Sequence, residues 1–162
     1  MVMESIEQDL LQLPDNKSSK RLLFTSYFAM SGKLPDYIAP IAICGGIPDF
    51  WIGKLWTRKL APKKWFFDEW KKNHDNDFYI RNFEKEVLSN LNPVDVLDAL
   101  YGLANQNKDG KIPCMICYEK PGDFCHRHLV AEWLNNSIPN LVDCREYIFN
   151  RKRNIRKNEK GN

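Results

Sequence analysis

The sequence predicts a single α/β domain whose sheet is mainly parallel and flanked by helices. Three observations carry this. The apolar runs at 22–28, 38–44 and 111–119 are short and lack clean polar alternation, as strands covered on both faces do. The stretches at 77–107 and 125–135 instead repeat apolar residues at helical spacing. Strands separated by helices need crossover connections, and those favour parallel pairing.

Taken in order, residues 1–19 read as an N-terminal extension. Ile6, Leu10, Leu11 and Leu13 give a weak helical pattern, and a polar run through Pro14, Ser18 and Lys20 reads as a linker. The first strand, Leu22 to Phe28, is aromatic-rich and is turned by Gly32 and Pro35. The second, Ile38 to Cys44, is stopped by Gly45 and Gly46. The segment 47–70 holds Trp51, Trp56, Trp65 and Trp70 interleaved with Lys54, Arg58, Lys59, Lys63 and Lys64. Such a segment can serve as a stacking platform for bases, or as a loop-rich cap whose rings bury against the sheet.

Phe78, Ile80, Phe83 and Val87 stripe a helix from Asp77 to Asn90. Asn92 and Pro93 then read as an N-cap and a first-turn proline, opening a helix that runs towards Asn107 through Val96, Leu97, Leu100 and Leu103. Asp109-Gly110 is a turn. Lys111 to Glu119 is the third strand, and Cys125 to Asn135 is the helix after it. The domain is expected over 20–148, with a basic tail at 149–162.

Composition sets the class. At 162 residues, 43% hydrophobic and 28% charged, the chain suits one globular domain with a core of its own. No apolar stretch approaches the ~18 residues of a membrane span. Glu4, Glu7 and Asp9 at the start argue against a secretory signal. Five cysteines is an odd number, so a reducing cytosol is expected rather than a disulfide framework. The net charge of +3 hides a tail in which Arg151, Lys152, Arg153, Arg156, Lys157 and Lys160 oppose Glu159 alone. That tail is either a solvated terminus or a contact for phosphates.

The chemistry concentrates between Cys114 and His128. If 112–119 is extended, Met115, Cys117 and Glu119 share one face, and Cys114, Ile116 and Tyr118 take the other. Cys114 and Cys117 then cannot clip one metal, and Cys114 is expected in the core. Cys117 and Glu119 lie at the carboxyl end of the strand, where open α/β sheets bind ligands. The short loop 120–124 returns Cys125, His126 and Arg127 beside them. At a helix N-terminus, Cys125 is placed for a stabilised thiolate, His126 for proton transfer and Arg127 for clamping an anion. The plainer alternatives are a buried Cys125, a Glu119–Arg127 salt bridge and a surface His128.

The turn resembles the domain-of-unknown-function 488 family, in which a strand ending in Cys-x-Glu is followed by a short loop and Cys-His-Arg. The matching residues are Cys117, Glu119, Cys125, His126 and Arg127. Thr25 to Ala29, Ile43 to Pro48 and Leu60-Ala61-Pro62 extend the likeness to short bacterial and viral members, over roughly 21–136. The resemblance implies a compact α/β fold and an enzyme-like polar site, without an established reaction. Longer relatives carry an Asp-Val-Arg motif after an early strand. Ile43-Cys44-Gly45-Gly46 stands in its place here, so no function that needs that arginine transfers.

Three functions follow. The first is an enzyme, a hydrolase or transferase acting on a nucleotide or nucleic acid without a cofactor. In it Cys117 or Cys125 is the nucleophile or polarising thiol, Glu119 the acid or base and Arg127 the clamp, with His126 beside them. Tyr27, Cys44, Gly45, Gly46 and Trp51 are the ligand-contact candidates for that cleft. The Cys117–Arg127 spacing is too long for a Cys-x5-Arg phosphatase loop. The second is a zinc module drawing on Cys117, Cys125, His126 and His128, with Cys114 or Glu119 in reserve. The third is a binding protein that performs no chemistry.

Overall fold

The structure, a computed structural model, describes residues 20–149. The N-terminal extension and all but the first residue of the basic tail lie outside the described residues. Four strands, β1 (Arg21–Tyr27), β2 (Ile38–Ala42), β3 (Ile112–Cys117) and β4 (Val142–Glu146), form one sheet in the order β2-β3-β1-β4. Every pairing is parallel. Five helices pack on it: α1 (Phe28–Ser31), α2 (Lys64–Asn73), α3 (Asn76–Glu86), α4 (Pro93–Ala104) and α5 (His126–Ser137), with a 3-10 turn at Leu88–Asn90. The α/β architecture expected from the sequence is the one observed.

Side chains alternate along each strand and feed two cores. Leu23, Ile41, Met115 and Cys144 meet Phe66, Phe83, Leu97, Leu100, Val130 and Leu134 from α2 to α5 on one face. Phe24, Ala42, Cys114 and Ile116 take the other face, covered by Phe28 and the partly buried Trp51, Trp56 and Tyr147. The sheet therefore has a thick helical side and a thin side made of α1 and loop. Cys114 and Cys117 fall on opposite sides, as strand parity requires.

Local chemistry sets the helix ends. Asp75 accepts from Phe78 N at 3.1 Å to cap α3, and Asn92 accepts from Val94 N at 2.9 Å and Asp95 N at 3.2 Å to cap α4. His74, at φ 52°, ends α2 in the left-handed region.

Three elements depart from the sequence reading, the first being α1, which opens at Phe28 where the first strand was expected to end. The 47–70 segment was expected to be loop or cap, yet α2 starts at Lys64 within it. Its lysines mask an apolar stripe of Phe66, Phe67 and Trp70 at helical spacing, which packs against the thick-side core. The strand β4 has no counterpart among the expected elements. It is an edge strand of five residues, and only Val142 and Cys144 in it are apolar. Their period of two was the available signal.

Candidate functional site

The parallel register puts the carboxyl ends of the strands together, with Tyr27 opposite Cys117 and Ala42 opposite Ile116. The loop after β3 returns the chain so that Cys125 stands at the N-cap of α5, in extended backbone and without a side-chain cap bond. Cys125 therefore faces inward beside Cys117, and His126 follows from the first turn. One ligand atom each from Cys117, Cys125 and His126 lie within 4.8 Å of one another, and all three residues are buried. Cys117 Sγ is 3.5 Å from His126 Nε2 and 3.7 Å from Nδ1. His126 Nε2 also sits 2.9 Å from the Ile43 carbonyl. A carbonyl only accepts, so Nε2 carries the proton and Nδ1 is left for the thiols.

The two thiols are held in opposite states. A hydrogen bond from Cys117 draws the Cys125 pKa down, against the cost of its burial, and His126 assists. Burial, followed by the bond to Cys125, holds the Cys117 thiol well above its ordinary value. Glu119 lies half-buried at the mouth of the site. Burial first, and the charge of Cys125 second, push its carboxyl up to about 7.

Arg127 is fully buried, and its fork does not face open space. Nε and Nη2 donate to Glu146 Oε1 and Oε2 at 3.1 and 3.0 Å, and Nη1 donates to the Glu119 carbonyl at 2.5 Å. Glu146 also accepts from Thr25 Oγ1 at 2.7 Å. The guanidinium expected to clamp an anion thus ties α5 to β4 and to the start of the loop after β3. Neither Glu146 nor Thr25 was expected from the sequence as a partner of Arg127. They lie 19 and 102 positions from Arg127, and only the fold brings them to it.

A small cavity of about 20 Å3, room for one water, is lined by Glu119, Cys125 and His126 together with Phe67, Trp70, Tyr79 and Phe124. Tyr79 and Phe124 meet edge to face at 5.0 Å, and Trp70 leans on Phe124 at 5.5 Å. The aromatic wall comes from α2, α3 and the loop before α5, and its Phe67 and Trp70 belong to the segment read from the sequence as a possible stacking platform.

The expected ligand contacts are not among the residues that line this cavity. Trp51 packs edge to face on Phe28 at 5.2 Å, on the thin side of the sheet. Cys44 donates to the Gly46 carbonyl at 2.8 Å, and Tyr118 donates to the same oxygen. Burial pushes the Cys44 thiol up to about 11. Gly45 and Gly46 are exposed, with open space where a Cβ would stand. Tyr27 lies 5.9 Å from the Arg127 guanidinium, ring centre to carbon. His128 is half-buried on α5 and outside the gathered trio, and Cys114 is enclosed in the opposite core.

The family model DUF488-N3a, described as the active DUF488-N3 subclade, matches residues 49–138, more than half of the chain. The chain belongs to this family. The DUF488-N3a match spans α2 to α5 and includes Cys117, Glu119, Cys125, His126 and Arg127, while β1, β2 and β4 lie outside it. The likeness first seen in the Cys-x-Glu and Cys-His-Arg turn is thus a family relationship. No curated protein and no solved structure matches this DUF488-N3a chain. Among its described residues no helix is long and apolar enough to cross a membrane.

Proposed function

We propose that the chain is an enzyme that hydrolyses or transfers a group on a nucleotide or nucleic-acid substrate at the aromatic-walled cavity. One observation carries the reading: Glu119, Cys125 and His126 share one wall of a cavity whose other wall is aromatic. A carboxyl beside an anionic sulfur and an imidazole can accept and return a proton without waiting for solvent. The subclade's description as active supports chemistry at this site.

The substrate class proposed here draws its support from α2. Phe67 and Trp70 line the cavity, and Lys63, Lys64, Lys71 and Lys72 are exposed on and beside the same helix. Aromatic faces stack a base and lysines meet its phosphate. The cavity admits a water-sized group, so the reacting atom enters while the ring lies against the aromatic rim. Arg127, committed to Glu146, positions the start of α5 and touches no substrate.

The test is tryptophan fluorescence titration with mononucleotides and short single-stranded oligonucleotides, followed by product analysis. Saturable quenching is expected, weakened about tenfold or more by Trp70→Leu. Glu119→Gln keeps that binding and loses turnover about 100-fold or more. A chain that binds none of the panel overturns the substrate class. Binding without turnover by the wild-type chain replaces the enzyme with a binding protein.

A further inference from the structure

We propose that Cys117, Cys125 and His126 form a three-ligand zinc site whose fourth position opens on the cavity beside Glu119. The site is argued from geometry and charge, and it rests on the enzymatic reading only for the use of that fourth position.

The spacing fits first. Tetrahedral zinc with Zn–S of about 2.3 Å and Zn–N of about 2.0 Å sets ligand-to-ligand edges of roughly 3.5–3.8 Å. Cys117 Sγ stands 3.5 and 3.7 Å from the two ring nitrogens of His126, and all three ligand groups fall within 4.8 Å. The sulfur lies nearly level with both nitrogens, so ligation asks the ring to turn about its Cβ–Cγ bond. The Ile43 carbonyl already holds Nε2–H at 2.9 Å. A second-shell carbonyl of this kind fixes the tautomer and presents Nδ1 to a metal.

Charge points the same way. Arg127 is the fully buried cation next to the site, and its fork is committed to Glu146. Two thiolates and a neutral imidazole balance a divalent cation, leaving a neutral cluster suited to burial. Binding would release the thiol protons to solvent. Two sulfurs and one imidazole select zinc over magnesium or calcium, which prefer oxygen donors.

The fourth position distinguishes this from a structural knot. Closed zinc sites use four protein ligands, whereas catalytic ones keep three and a water. Among the described residues no fourth ligand atom joins the trio. Instead, the cavity beside Cys125 and His126 has room for one water, with Glu119 on its wall. A water there would have a carboxylate at hand to take its proton.

Elemental analysis of the full chain, purified without chelator, is expected to give about one zinc per molecule. Cys117→Ser and Cys125→Ser should each lose it, while Glu119→Gln keeps it. Cobalt added to chelator-stripped wild-type chain should give thiolate charge-transfer absorption and the intense visible bands of a tetrahedral site. That spectrum decides the matter even if the serine variants fail to fold. A wild-type chain that takes up neither zinc nor cobalt overturns the site, as does full zinc occupancy in Cys125→Ser. The two proposals fail separately: a metal-free chain that turns over substrate removes the zinc and leaves the enzyme. A zinc-loaded chain without turnover does the reverse.

Discussion

The five cysteines, all buried, do not share one environment. Cys114 is sealed in the thin-side core and Cys144 in the thick-side core, where burial pushes its thiol up to about 12. Cys125 borders the cavity, with its thiol drawn down by the bond from Cys117. Iodoacetamide near neutral pH should therefore modify Cys125 well before Cys114 or Cys144, and faster after a chelator than before it. Mass spectrometry of timed digests reads the order, and equal rates at Cys114 and Cys125 would contradict this placement. Parity along one strand was enough to foresee that Cys114 and Cys117 part company, because a period of two needs no tertiary information. The fate of the Arg127 fork was not foreseeable in that way. Its partner Glu146 sits on a strand whose position depends on the whole sheet.

At the level of elements, the Arg127–Glu146 pair joins α5 to β4, and Thr25 adds a bond from β1. Arg127→Met leaves the Glu146 carboxylate facing a buried apolar group. It should lower stability by about 3–5 kcal/mol, read as a lower urea midpoint with unchanged slope. Arg127→Met combined with Glu146→Leu should recover part of that loss, because the orphaned charge is gone. Asn92→Ala removes two bonds to the first turn of α4 and should cost about 1 kcal/mol. This cap was readable in the sequence because its donors lie two and three residues away. The helix α2 was obscured by its lysines, and β4 by its charged alternate positions, which at a sheet edge face outward. Local signals survive in a sequence, whereas edges and partners are properties of the assembled sheet.

For the whole molecule, the unequal sides of the sheet divide the labour. Leu97, fully buried among α4's neighbours, anchors the thick side, and Leu97→Ala should cost about 2–5 kcal/mol by thermal or urea unfolding. A loss under 1 kcal/mol would show that this core relaxes around the gap. The α/β class was legible because three of the four strands are largely apolar and buried on both faces. The site was legible as a cluster in sequence, and the 47–70 aromatic segment as a possible stacking platform, whereas Tyr79 joins the cavity from a helix whose sequence shows only an apolar stripe. The ion pair to Glu146 also orders events in time. Chains emerge from the ribosome at about 5–20 residues per second, and the thiols and imidazole of the trio are complete once residue 126 is out. Glu146 follows 20 residues later, and only its docking beside β1 gives Arg127 a counter-charge. A nascent or truncated chain thus holds every reactive group of the site while lacking the anchor for the helix that presents two of them. The helix that carries Cys125 and His126 is therefore anchored only once β4, the last strand among the described residues, has been made.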